Sequence, residues 1–146
     1  MESLNTHIKL ASEDGQVVEC LFEAMTSSSG FLRDMFESQA CPSDVVQLSD
    51  LGISHFSLTK ICEYSKYAHS HRPPHIEKPI YHHTLFDITS PWYAKFALNL
   101  SDEQLAELIV AASKMDTKEL LDLLSACLAL KLKSMTVEQI REYFNV

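Results

Sequence analysis

Polar and apolar residues alternate through His7-Ile8-Lys9-Leu10-Ala11 and again through Gln16-Val17-Val18-Glu19-Cys20-Leu21. Alternation of period two marks a half-buried strand. The residues between the runs, Ser12-Glu13-Asp14-Gly15, end in Asp-Gly, a strong hairpin signal. The chain therefore predicts an opening β-hairpin. Residues 23–38 read as helix, with Phe31, Leu32, Met35 and Phe36 in one apolar stripe and a break near Ser27-Ser28-Ser29-Gly30. Pro42-Ser43-Asp44 interrupts the chain, and Val45-Val46-Gln47-Leu48 predicts a third, short strand. Ser54 caps a helix to about Tyr67 whose apolar positions include Phe56, Leu58, Ile61, Cys62 and Tyr64. From His69 to Thr89 no period holds, and three prolines and five histidines predict a long surface loop.

Beyond that loop the pattern is helical. Pro91 suits a first helical turn, and Trp92 and Phe96 fall four apart. Ser101-Asp102-Glu103-Gln104 has the spacing of a capping box, in which the first side chain and the fourth satisfy each other's backbone N–H. Thr136-Val137-Glu138-Gln139 repeats it, and Asp116-Thr117-Lys118-Glu119 reads as a variant with Asp116 as cap. Three starts predict three helices over 101–114, 117–133 and 137–144. The fold class is α+β: a small three-stranded sheet covered by helices, with a helical C-terminal third.

The middle of these helices is unusual. Between Leu120 and Leu132, seven leucines and Cys127 cover about 200° of the helix surface, interrupted by Lys131. A surface helix needs an apolar stripe little wider than about 100°. Asp122, Ser125 and Lys133 mark the narrow polar side. Such a helix is either packed on both sides within its own domain or packed on one and open to a partner on the other. Ile140, Tyr143 and Phe144 give the last helix a stripe at i, i+3, i+4 that also needs a surface to lie on. The chain stops two residues after Phe144.

Composition narrows the function classes. The 146 residues fit one domain and carry a net charge of −8. Residues 101–146 hold eight acids and five bases and the rest twelve and seven, so the charge reads as spread. No basic patch for phosphates is visible, which argues against nucleic-acid binding. The N-terminus lacks the marks of a signal peptide, and no run of about 18 apolar residues predicts a membrane span. Cys20, Cys41, Cys62 and Cys127 have no C-x-x-C spacing and sit among apolar neighbours, so four free thiols and a cytoplasmic or nuclear location are expected. His69, His71, His75, His82 and His83 invite zinc, but no cysteine lies nearer than Cys62 and no ligand spacing is defined, so neither metal nor cofactor is expected. No G-x-S-x-G elbow or glycine-rich phosphate loop occurs among only three glycines. The chain is not expected to be an enzyme.

The order strand, strand, helix, helix, strand, helix, long loop and further helices is that of a BTB/POZ domain. The segment IKLASEDGQVVEC resembles the opening of the S-phase kinase-associated protein 1 family, the adaptors of Skp–cullin–F-box ubiquitin ligases. ELIVAA, MDTKELLD and EQIREYFNV resemble that family's helical end more closely, and PWYAKF resembles the helix before it. Elongin C, a shorter relative, ends near the segment matching Met115-Asp116, and this chain continues 30 residues further.

The resemblance implies a BTB/POZ core over residues 1–114, with a loop over about 69–90, that docks a cullin. It also implies an extension over 115–146 that grips an F-box partner. The contacts implied are Leu105, Ile109, Leu121, Leu124, Leu128, Leu132, Ile140 and Phe144. Three departures stand out. The family continues with further clamping helices after its Phe-Asn-Ile, where this chain ends at Phe144-Asn145-Val146. The family's loop is acidic, whereas residues 66–83 carry Lys66, Arg72 and Lys78 against Glu77. The family's Asn-Tyr, at a helix end facing the cullin, is here Ser113-Lys114. Losing the tyrosine implies weak or absent binding to an ordinary cullin. Two readings follow: an F-box adaptor, or a structural, self-assembling BTB/POZ module working outside a cullin ligase. Without an F-box partner, exposed leucines favour a homodimer.

Overall fold

The structure, a computed structural model, describes residues 7–37, 39–76 and 84–144, with Ser49 and Phe144 described by backbone alone. Strand β1 (His7–Ala11) pairs antiparallel with β2 (Val17–Leu21), in a register that sets His7 opposite Leu21 and Ala11 opposite Val17. Ile8 and Leu10 point into the core while His7 and Lys9 face out, as the alternation requires. Gly15 stands at φ +84° in the turn, a conformation that costs glycine little. β3 (Val46–Gln47) runs parallel to β1 on its other side, giving the sheet order β2-β1-β3.

Among the described residues, seven helices surround this sheet: α1 (Phe22–Ser28), α2 (Gly30–Met35), α3 (His55–Ser70), α4 (Pro91–Leu98), α5 (Asp102–Lys114), α6 (Lys118–Lys133) and α7 (Val137–Phe144). The three expected strands and the break between α1 and α2 are present. Ser54 caps α3 by accepting the Ser57 N–H at 3.2 Å. One apolar core runs from Ile8 and Leu10 through Leu58, Ile61, Tyr64 and Phe96 to Leu105, Leu108, Leu120 and Leu124. Each such leucine contributes about 1.5–3 kcal/mol by leaving water.

The α1–α2 break is a docking point. Ser29 Oγ donates to Met115 O at 2.6 Å, and Gly30 N–H donates to Asp116 O at 2.9 Å. A Cβ on Gly30 would lie 2.0 Å from Asp116 Oδ2. Gly30→Ala should therefore destabilise the fold by about 1–3 kcal/mol. Asp116→Gly in the same chain should recover most of that loss. Denaturant unfolding of the two single variants and the double variant checks this coupling.

Three expectations are corrected. Asp116 does not cap α6: it stands at φ +53°, in the left-handed position that ends α5. Thr117 N–H reaches back to Ala112 O at 3.0 Å and Asp116 N–H to Ser113 O at 3.1 Å, which is a Schellman stop. The residue ahead of α6 is Thr117, whose buried hydroxyl donates to Ala112 O at 3.1 Å. Nor are all four cysteines free. Cys20 and Cys62, 42 residues apart, are joined by a disulfide between β2 and α3, leaving Cys41 and Cys127 as thiols. Finally, the stretch from His69 to Thr89 is not all surface loop. α3 runs on to Ser70, Ile76 and Thr89 are buried, and Leu85 is buried in a 3-10 turn over Leu85–Asp87. His82 and His83 lie outside the described residues, as do Glu77 and Lys78.

Candidate partner-binding surface

α6 begins directly after the α5 stop, and its leucines divide between two environments. Leu120, Leu123, Leu124 and Cys127 are buried. Leu121, Leu128 and Leu130 are half-buried at the margin of the core. Leu132 is half-buried and lies outside that core cluster. The wide apolar face is thus partly internal packing and partly open surface.

α7 starts with a complete capping box: Gln139 N–H donates to Thr136 Oγ1 at 3.2 Å and Thr136 N–H to Gln139 Oε1 at 2.9 Å. The same reciprocal pair opens α5 between Ser101 and Gln104. None of the described side chains of α7 is buried: Ile140 and Tyr143 are half-buried, and Val137 is 68% exposed. Lys131 of α6 forms an ion pair with Asp102 of α5 at 2.7 Å. Burial pushes the Tyr143 phenol up, and the Asp102 carboxylate adds to the rise, which places Tyr143 beside that pair.

The expected contact residues are therefore not one surface. Leu105 and Leu124 are fully buried within the chain's own core, so they are packing residues in this structure and present nothing to a partner. Their position in the sequence gave no sign of this, because buried and binding faces share composition. Ile109, Leu121, Leu128, Leu132 and Ile140 are half-buried and reachable. The side chain of Phe144 lies outside the described residues. Leu130 and Tyr143, both half-buried on the same helices, were absent from the expected contact set. Tyr143 was legible as part of the α7 stripe.

Ser113 and Lys114 are exposed at the end of α5. Lys114 Nζ donates to Leu51 O at 2.7 Å, so the ammonium is folded onto the chain's own backbone. It edges a groove of about 280 Å³ lined also by Glu13, Ser54, Ser57, Glu107 and Val110, the last 53% exposed. Glu107 accepts hydrogen bonds from both Ser54 Oγ and Ser57 Oγ, which holds the carboxylate against the start of α3. Among the described residues no three His, Cys, Asp or Glu side chains gather as a metal set. His69 lies 3.7 Å from Glu23, and His71 stacks on Tyr67. No helix of the described residues is long and apolar enough to cross a membrane.

A three-stranded sheet of this order, helices around it and a helical tail define a BTB/POZ-like protein with a C-terminal helical extension. Residues 118–146 match the family described as Skp1 family, dimerisation domain. An S-phase kinase-associated protein 1 homolog of Tetrahymena thermophila is 33% identical over 146 residues, covering 100% of this chain and 86% of that protein. SKP1-like protein 11 of Arabidopsis thaliana is 33% identical over 139 residues, 95% of this chain and 83% of its own length. SCF ubiquitin ligase complex protein SKP1a of Dictyostelium discoideum is 28% identical over the same shares. The chain belongs to the Skp1 family.

Proposed function

We propose that this protein is a non-catalytic adaptor that holds an F-box-type helical partner on α6 and α7, resembling the subunit that links such partners to a cullin-based ubiquitin ligase but with weak affinity of its own for an ordinary cullin. The observation that carries this is α7, a capped amphipathic helix with no buried side chain among those described. Its apolar stripe, half-buried at Ile140 and Tyr143 and exposed at Val137, leaves surface that a partner can cover. Leu128, Leu132 and Ile140 supply the anchors. Two relatives from Dictyostelium discoideum bear the name of SCF ubiquitin ligase complex proteins, which supports the assignment by kinship. The free thiols fit a non-catalytic role: burial pushes Cys41 and Cys127 up, away from the thiolate a nucleophile needs. Mixing the protein with a purified F-box domain and sizing the product tests the reading. A stable one-to-one complex is expected, and two separate peaks would overturn it.

The second reading, a self-assembling module outside a cullin ligase, draws on Lys114, which offers a cullin a hydrated charge in place of an aromatic anchor. Self-association is compatible with both readings. Without an F-box partner we expect a homodimer through the open face of α6 and α7. Light scattering checks this, and a monomer at high micromolar concentration would contradict it.

A further inference from the structure

A stripe of rings and cations runs across α3 and α4. His71 stacks on Tyr67 with centroids 4.2 Å apart and planes at 8°, and Tyr67 stacks on Trp92 at 3.9 Å and 4°. Trp92 stacks in turn on Phe96 at 5.3 Å and 18°. Lys60 Nζ then sits 5.8 Å from the Phe96 centroid and 5.9 Å from that of Phe56. Two parallel rings cannot share one face of a third at such distances, so Tyr67 is covered on both faces. What it leaves half-exposed is its rim. The rim of an aromatic ring is the positive end of its quadrupole.

The charge around the stripe has the same sign. Residues 55–72 and 91–99 carry Lys60, Lys66, Arg72 and Lys95 against Glu63 alone, net +3. The remainder of the chain has eight bases and nineteen acids, net −11. The charge on α3 and α4 themselves is thus net positive, while acids of neighbouring elements lie at the margins: Glu119 acts on Tyr93, and Glu23 is 3.7 Å from His69. Glu63 is 3.5 Å from Lys60, while Lys66, Arg72 and Lys95 are exposed and form no ion pair among the described residues. Aromatic rims, half-buried Tyr and Trp, and uncompensated cations are what an anionic peptide recognises. Nucleobases are disfavoured, since stacking on them needs free ring faces.

We propose that this stripe docks a carboxylate-rich segment of another protein chain. It lies on different helices from the α6–α7 face and does not rest on the F-box reading. Trp92 is the single tryptophan of the chain, so the site reports on itself. The experiment titrates the whole protein at low salt with a short, tryptophan-free, glutamate-rich peptide carrying phenylalanines, following Trp92 emission, with anisotropy of the labelled peptide as a second readout. A saturable change that weakens with salt is expected. Arg72→Glu with Lys95→Glu should weaken binding roughly tenfold or more, whereas Lys118→Glu on α6 should leave it unchanged. A flat titration, an equal response to a lysine-rich peptide, or tighter binding of a single-stranded oligonucleotide would overturn the proposal. So would a flat titration in which the double reversal dissolves a homodimer, because the occupant would then be a second copy.

Discussion

Ile140→Asp and Leu132→Asp should abolish F-box association while leaving the unfolding transition nearly unchanged. Both side chains are half-buried, and neither belongs to the core cluster. In the free protein an aspartate at either position can reach water. In the complex it would be desolvated without a partner, at a cost of several kcal/mol. A loss of about 3 kcal/mol is more than a hundredfold in affinity. Leu124→Asp should behave in the opposite way. That side chain is fully buried between α6 and the rest of the core, so the substitution leaves a cavity and an uncompensated carboxylate together. Against a total stability of about 5–15 kcal/mol, the chain should lose its cooperative transition. Titration calorimetry for binding and circular dichroism for folding separate the two cases. A folded Leu124→Asp protein, or full binding by Ile140→Asp, would contradict the placement of the face.

A gain of cullin binding should follow from Ser113→Asn with Lys114→Tyr. In the unsubstituted protein, Lys114 is held by Leu51 O at 2.7 Å and faces a groove that already contains Glu13 and Glu107. Docking a cullin there would strip water from an ammonium and offer no aromatic area in return. An interface tyrosine is commonly worth about 2 kcal/mol, more than tenfold in affinity. The substitution removes the charge and supplies the ring, and Leu51 O, whose bond to Lys114 is exposed, can accept from water instead. The measurement is affinity for a cullin N-terminal domain before and after the change. Tight binding by the unsubstituted protein would refute the expectation of weak binding.

Local signals read well from sequence because each is settled within a few residues. Asp14-Gly15 and the alternation around it gave the hairpin, and two of the three capping boxes formed with both reciprocal bonds. The third failed because Asp116 was needed to stop α5, and a left-handed stop and an N-cap draw on the same residue types. The α6 leucines show a second limit. Their arc revealed that more surface was apolar than one face requires, but not which leucines α4 and α5 would cover. Leu105 and Leu124 went to the core through contacts far apart in sequence. The Cys20–Cys62 bond and the stripe from His71 to Phe56 were illegible for the same reason. Each joins residues that only the packing of β2, α3 and α4 brings together.

Amide hydrogen exchange with and without a purified F-box domain tests the central claim most directly. Free α7, with no described side chain buried, should exchange quickly, because its helix is held by little apolar packing. On adding the F-box domain, protection should rise across α7 and the second half of α6, while the β1–β2 hairpin stays as it was. Unchanged exchange over 118–144, or protection confined to other parts of the chain, would contradict the assignment of α6 and α7 as the partner-binding face.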